Sequence, residues 1–188
     1  MEVNGKYFVD PKQFLLDSYI LGKKILESDF RPNFIVGLWR GGAPPGIAVQ
    51  EFLKYKKIET DHISIRTSAY HEDKLDVMKR EIQVDGLDYI IRKINYNDKL
   101  LLVDDVYDSG LSMEAVLKKL SEEARANTPN EIKIATVYYK PLRNKTTRRP
   151  DFYVHETDQW LIFPHELNGL DLKEIEEGKG KEIVELLK

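Results

Sequence analysis

The chain of 188 residues contains no cysteine. It therefore has no disulfide framework, no thiolate nucleophile and no cysteine-ligated metal site. An excess of basic charge is missing as well, because 29 lysine and arginine residues stand against 32 aspartate and glutamate residues, a net charge of −3. We therefore expect no broad electrostatic attraction to nucleic acid or to a membrane surface.

Long apolar runs are also missing. No stretch approaches the ~20 apolar residues that a transmembrane helix needs. The N-terminus, MEVNGKYFVD, lacks the basic and apolar regions of a signal peptide. With 41% hydrophobic and 32% charged residues, the composition is that of a globular domain. We expect a soluble cytoplasmic protein with a single domain over residues 1–188.

The most informative stretch is residues 100–117, which read LLLVDDVYDSGLSMEAVL. Its apolar start predicts a strand buried on both faces. Asp104 and Asp105 follow at the carboxyl end, where open α/β sheets bind ligands. The polar turn 108–112 leads into a helical pattern and offers backbone N–H groups to an anion. A phosphorylated sugar would use both the carboxylates and the turn.

A second loop of this kind comes earlier in the chain. Residues 34–38 form a short apolar run that continues directly into Trp39, Arg40, Gly41 and Gly42 and then into a helical pattern. The glycine pair lets backbone N–H groups approach an anion closely, and Arg40 adds a fixed positive charge. Taken alone, this loop is equally consistent with a tight connection between a strand and a helix.

Residues 101–112 resemble the phosphoribosyl pyrophosphate signature of type I phosphoribosyltransferases: a hydrophobic strand, two acids, two spacers, Asp, a small residue, Gly, any residue, and Ser or Thr. The resemblance implies an α/β fold in which a central parallel sheet is flanked by helices and a small hood covers the carboxyl edge of the sheet. It implies catalytic roles for Asp108, as general base, and for Arg40, and a cis peptide bond at Trp39–Arg40. The phosphoribosyl pyrophosphate-binding residues it implies are Arg40, Gly41, Gly42, Asp104, Asp105, Asp108, Ser109, Gly110, Leu111 and Ser112.

Downstream segments narrow the resemblance. Lys140-Pro141, the PDFYV run at 150–154 and the WLIFP run at 160–164 are similar to bacterial xanthine–guanine and archaeal 6-oxopurine phosphoribosyltransferases. A flat purine stacks on an aromatic ring, here Trp160, and its 6-oxo group accepts from a charged donor, here Lys140. Backbone groups around Leu161 would meet the 2-position. The resemblance implies a purine salvage enzyme for hypoxanthine, guanine or xanthine.

The resemblance also implies a cofactor, a lid and an assembly. Mg²⁺ would be held by Asp104 and Asp105, directly or through water, with Glu166 as a weaker metal ligand. A mobile lid over about residues 68–82 would carry Ser68 and Tyr70; a solvated surface loop is the alternative. Members of this family usually form dimers or tetramers, so we expect a homodimer or homotetramer.

Within the domain we expect a core of about residues 30–140 and a hood of about residues 141–170 together with the N-terminal segment. We expect the basic loop 142–151 to be solvated. The tail 168–188 has a helical pattern broken at Gly178 and Gly180, and we assign it no chemistry. Two alternatives remain: a phosphoribosyltransferase for another base, and a regulatory protein of the same fold that senses phosphoribosyl pyrophosphate. Lys140 argues against adenine, whose 6-amino group would oppose a lysine donor.

Overall fold

The computed structural model describes residues 1–69 and 82–188. Strands and helices alternate through most of the chain, as the sequence predicts for an α/β fold. The strands are β1 (Glu2–Val3), β2 (Lys6–Phe8), β3 (Phe34–Trp39), β4 (Asp61–Ala69), β5 (Ile82–Asp85), β6 (Lys99–Tyr107), β7 (Glu131–Tyr139), β8 (Phe152–Glu156) and β9 (Trp160–Ile162). The helices are α1 (Pro11–Glu27), α2 (Ala43–Tyr55), α3 (Asp88–Ile91), α4 (Leu111–Ala124), α5 (Leu172–Lys179) and α6 (Lys181–Leu186), with short 3₁₀ turns at Arg125–Asn127 and Pro141–Arg143.

The main sheet has the strand order β5-β4-β3-β6-β7-β8. Its neighbouring strands are parallel except for β5, which runs antiparallel to β4. The predicted parallel sheet is therefore confirmed, with one antiparallel edge. Strand β8 belongs to this sheet, although its residues fall within the range expected for the hood.

Strand β6 lies at the centre of the sheet, and its apolar residues serve two separate cores. Leu100 and Leu102 pack in a cluster with residues of α4, whereas Leu101 and Val103 pack in a cluster with residues of α1 and α2. All four side chains are fully buried. Burial of a leucine or valine side chain stabilises the fold by about 1.5–3 kcal/mol, so the continuous apolar run is what allows β6 to be covered on both faces.

The N-terminal strands β1 and β2 form a small second sheet with β9, in the order β1-β2-β9. Lys6 pairs in register with Trp160, and its ammonium group lies 2.8 Å from the carboxylate of Glu174, which is buried. Helix α5 begins at a capping box formed by Asp171 and Glu174. The structure thus joins the N-terminal strands, β9 and the C-terminal helices in one unit.

The expectation that both tail glycines break the helix is wrong at Gly178. This residue lies inside α5, where a β-carbon would overlap the ring of Phe8. The interruption between α5 and α6 falls at Gly180, whose φ is +103°. Gly178 is thus suited to close packing, and Gly180 to a backbone conformation that other residues rarely adopt. None of the described helices is long and apolar enough to cross a membrane.

Candidate active site

The predicted site residues lie at the carboxyl ends of three neighbouring parallel strands. Arg40 follows β3, the acidic pair lies near the end of β6, and Lys140 follows β7. Strand β6 is longer than its apolar run predicts, because its pairing with β7 continues to Tyr107 opposite Tyr139. Asp104 and Asp105 therefore lie inside the strand. The sheet fixes their backbones more firmly than a loop would.

A cavity of about 240 Å³ brings together several predicted residues from distant parts of the sequence. Its walls include the predicted residues Arg40, Gly41, Asp104, Asp105 and Glu166. They also include Trp39, whose peptide bond to Arg40 was implied to be cis, and residues to which no role was assigned from the sequence: Leu38, Thr67, Val106, Phe163 and His165. The cavity is small and polar, and its walls carry side chains of both charge signs. Arg40 can therefore contact an anion, and the carboxylates can contact a cation or hydroxyl groups.

The acidic pair is held in a state that favours a proton or a cation. Burial raises the pKa of Asp105 to about 7, and the charge of Glu166 also raises it. Burial raises the pKa of Asp104 well above its usual range, and the neighbouring Asp105 adds to this effect. Backbone N–H groups oppose the shift only in part: the Val106 amide donates to Asp105 Oδ1 at 2.7 Å.

The glycine loop after β3 packs directly against β6. A β-carbon on Gly41 would overlap the Asp105 carboxylate, and one on Gly42 would overlap the carbonyl oxygen of Val103. Both positions therefore require glycine, because the loop and β6 approach each other too closely for a larger side chain. The Trp39–Arg40 peptide bond is cis, as the resemblance implied.

The turn at 108–112 leads into α4, and the N-terminus of a helix is a position at which backbone amides can bind an anion. Gly110 has a φ of +79°, and a β-carbon there would lie 2.7 Å from Tyr107 Oη and 2.8 Å from Thr146 Oγ1. The Lys145 amide donates to the Ser109 carbonyl oxygen at 3.0 Å. The basic loop, expected to be solvated, thus packs its backbone over this turn, although Arg143, Lys145 and Arg149 keep exposed side chains.

Lys140 and Asp108 face each other beside this turn. The side chain of Lys140 is 6% exposed, and its Nζ lies 3.5 Å from Asp108 Oδ2. The other oxygen of Asp108 accepts a hydrogen bond of 2.7 Å from Nε of Arg143. Lys140 is thus buried, which excludes the simpler interpretation of a surface lysine at a strand end.

Trp160 is an exposed aromatic ring and no part of the hydrophobic core. It is 63% exposed, and Lys6 Nζ lies 5.5 Å from its ring centroid. Leu161, next in β9, is buried. Of the two predicted lid residues, Ser68 lies in β4 opposite Gln83, and Tyr70 lies outside the described residues.

His165, Arg143 and Lys179 are site residues that the sequence analysis missed. Nε2 of His165 lies 3.6 Å from Asp105 Oδ2, and its ring stacks on Phe163. Burial lowers the pKa of His165. The charge of Glu166 opposes this shift, and the charges of Arg40 and Lys179 add to it. His165 directly precedes Glu166, which was predicted as a metal ligand, and this adjacency was the sequence signal that could have identified His165.

Lys179 connects the C-terminal helix α5 to the cavity wall. Its Nζ donates to the carbonyl oxygens of Phe163 at 2.8 Å and of Pro164 at 3.2 Å. The tail, to which we assigned no chemistry, therefore supports the segment that carries His165 and Glu166. No sequence motif marks this contact.

Comparisons with known proteins agree with this geometry. The phosphoribosyl transferase domain family matches residues 13–174. A purine phosphoribosyltransferase from Pyrococcus horikoshii is similar, with 27% identity, a TM-score of 0.66, and coverage of 89% of this chain and 97% of that one. A search of curated protein sequences gave no significant match.

Two further solved structures share the fold at lower identity. A hypothetical protein from Neisseria gonorrhoeae with bound ppGpp has 20% identity and a TM-score of 0.71, with both chains covered in full. The xanthine–guanine–hypoxanthine phosphoribosyltransferase of Helicobacter pylori has 22% identity and a TM-score of 0.64, with 92% of this chain and 99% of that one covered.

Proposed function

Because the chain belongs to the phosphoribosyltransferase family, we propose that it transfers the 5-phosphoribosyl group from phosphoribosyl pyrophosphate to a 6-oxopurine. The products are the nucleoside monophosphate and pyrophosphate. The similarity to the purine phosphoribosyltransferase of Pyrococcus horikoshii supports a purine acceptor. Hypoxanthine, guanine and xanthine share the 6-oxo group and differ at the 2-position, so we propose this class of acceptor without ranking its members.

The observation that carries the acceptor proposal is the pair formed by Lys140 and Asp108. A cationic donor and a carboxylate acceptor lie 3.5 Å apart. A 6-oxopurine presents its carbonyl oxygen and a ring nitrogen side by side on one edge. The carbonyl would accept from Lys140, and an imidazole N–H would donate to Asp108. A 6-amino group would instead place a donor against Lys140, which disfavours adenine.

The roles proposed for the remaining residues follow from where charge develops. Bond breaking leaves positive charge on the ribosyl carbon and negative charge on pyrophosphate. Arg40 and the Gly41–Gly42 amides would stabilise the leaving pyrophosphate. The turn 108–112 would anchor the 5-phosphate and so fix the position of the reacting carbon. Asp108 would act as general base at the imidazole nitrogen, and Trp160 with Leu161 would hold the ring.

The acidic residues of the cavity suit Mg²⁺. Among residues 1–69 and 82–188, no group of three metal-ligating side chains could hold an ion unaided. Mg²⁺ commonly uses one or two carboxylates together with substrate phosphates and water. Asp104 and Asp105, with Glu166 nearby, fit that requirement, because the two residues are adjacent in β6 and line the same polar cavity. The ion would place positive charge beside the leaving pyrophosphate and so stabilise its developing negative charge.

The test is pyrophosphate release from phosphoribosyl pyrophosphate with each of five bases, measured with Mg²⁺ and with a chelator. We expect release with hypoxanthine, guanine or xanthine, no release with adenine or uracil, and loss of activity in the chelator. If pyrophosphate were released only with adenine or uracil, the acceptor would belong to another class of base. The proposed assembly, a homodimer or homotetramer, is checked separately by light scattering.

A further inference from the structure

Asp108 has a different cation at each oxygen of its carboxylate. Nε of Arg143 donates to Oδ1 at 2.7 Å, whereas Nζ of Lys140 lies 3.5 Å from Oδ2. The first contact is a hydrogen-bonded ion pair, and the second is longer than a hydrogen bond. The side chain of Arg143 is 60% exposed, compared with 6% for Lys140. The two cations therefore differ in distance and in access to solvent.

The backbone around Arg143 is held in place from several sides. The Leu142 amide donates to Asp158 Oδ1 at 3.1 Å, and the Arg143 amide donates to the Lys140 carbonyl oxygen at 3.2 Å. Two residues on, the Lys145 amide donates to the Ser109 carbonyl oxygen. Arg143 is thus presented to Asp108 by an anchored turn, and its contact follows from how the loop folds.

This arrangement matters because the opposite charges of Lys140 and Asp108 attract each other. If the carboxylate turned to close the 3.5 Å gap, Lys140 would lose the donor that the 6-oxo group needs, and Asp108 would lose the acceptor that the imidazole N–H needs. A bond at Oδ1 restrains the carboxylate by one oxygen and leaves Oδ2 facing the gap. We propose that Arg143 is a positioning residue, which holds Asp108 apart from Lys140 and so sets the donor–acceptor pair that reads the purine edge.

This inference rests on the proposed function and adds a residue that the family resemblance did not supply. An exposed ion pair contributes little to the stability of a fold. Substitution of Arg143 should therefore leave the fold intact while changing the reaction. If the contact had no role in the reaction, its removal would leave both the fold and the reaction unchanged.

The experiment compares Arg143→Ala and Arg143→Lys with the matched control Arg149→Ala. Arg149 lies on the same loop and is exposed, and its side chain makes no hydrogen bond or ion pair within the described part of the chain. The melting temperature of each variant is recorded, followed by kcat and KM for a 6-oxopurine and for phosphoribosyl pyrophosphate.

For Arg143→Ala we expect kcat/KM for the purine to fall about tenfold, a part of the ~10²–10⁴-fold that a general base contributes. KM for phosphoribosyl pyrophosphate should stay within about twofold, and added guanidinium ion should restore part of the rate. Arg143→Lys should fall between wild type and Arg143→Ala, because lysine keeps the charge but loses the planar guanidinium. Arg149→Ala should behave as wild type.

Three results would overturn the inference: unchanged purine kinetics in Arg143→Ala, an equal loss in Arg149→Ala, or a loss confined to KM for phosphoribosyl pyrophosphate. In each case the wild type still converts a 6-oxopurine, so the proposed function stands and only the role of Arg143 fails. A wild-type protein that converts no 6-oxopurine would remove both proposals.

Discussion

Asp105 is placed by folding where its charge is unfavourable. Its pKa rises from about 3.9 in an unfolded chain to about 7 in the folded protein, chiefly through burial. Between these values the folded protein holds a proton that the unfolded chain has released, so the free energy of unfolding falls as the pH rises.

Asp105→Asn should therefore stabilise the metal-free protein at pH 8, by on the order of 4 kcal/mol, which corresponds to about 8–16 °C in melting temperature. The gain should shrink as the pH falls towards 4, where the wild-type carboxyl is protonated. Thermal melts in a chelating buffer between pH 4 and 8 measure this. Asp29→Asn, on an exposed side chain, is the control. A variant that is no more stable than wild type at pH 8 would show that the charged Asp105 carboxylate does not destabilise the fold.

Asp108→Asn should reduce turnover by about 10²–10³-fold, because an amide cannot accept the imidazole proton. Binding of phosphoribosyl pyrophosphate should weaken much less, since the amides of the 108–112 turn remain. Single-turnover rates and titration of phosphoribosyl pyrophosphate separate the two effects. Unchanged turnover would remove Asp108 from the general-base role.

Among the elements, strands and helices with a regular apolar pattern could be predicted from the sequence, and their exact ends could not. The pattern predicts a helix over residues 11–27 and strands over 34–38 and 131–140, and α1, β3 and β7 match these bounds to within one residue. It did not show that β6 continues through both acids, because that depends on pairing with β7. It also predicts one helical face over residues 87–94, but α3 spans only Asp88–Ile91, since the apolar residues up to Ile94 pack in the core without a continuous helix.

Helix α5 supplies a prediction about packing. Gly178→Ala would place a methyl group on the Phe8 ring. Overpacking costs about 1–3 kcal/mol, and the severe overlap with the Phe8 ring places this cost in the upper half of that range. The gain in helix propensity recovers only ~1 kcal/mol, so we expect net destabilisation of about 1–2 kcal/mol. Urea denaturation measures the change, with the exposed Lys173→Ala as control. A neutral or stabilising Gly178→Ala would mean that α5 does not dock closely on β2.

At the scale of the whole molecule, the site depends on both ends of the chain. Lys6 and Glu174 are bonded across 168 residues, beside Trp160 in the small sheet. Separations of this size carry no local signal, which is why no chemistry could be assigned to the tail from the sequence. The strand-end motifs could be predicted because each is contiguous. The contacts of Arg143, His165 and Lys179 could not, because each depends on how separate segments meet.

Lys6→Met should lower the melting temperature more than Lys173→Met, because it leaves the buried Glu174 carboxylate without its partner. The hydrogen bond from Lys6 is the main cause that lowers the pKa of Glu174. A lowered folded pKa gives stability that is present above the unfolded pKa of about 4.3 and is lost as the pH falls. The difference between the variants should therefore be larger at pH 7 than at pH 3. Equal melting temperatures at pH 7 would contradict a structural role for this pair.

The central claim is that the carboxyl edge of the sheet joins a phosphoribosyl donor to a 6-oxopurine. The most direct measurement is one reaction containing phosphoribosyl pyrophosphate, Mg²⁺ and equal amounts of hypoxanthine, guanine, xanthine, adenine and uracil, with the nucleotides resolved by chromatography. We predict monophosphates of one or more 6-oxopurines and none of adenine or uracil. Adenine or uracil monophosphate as the main product, or no nucleotide at all, would contradict the account.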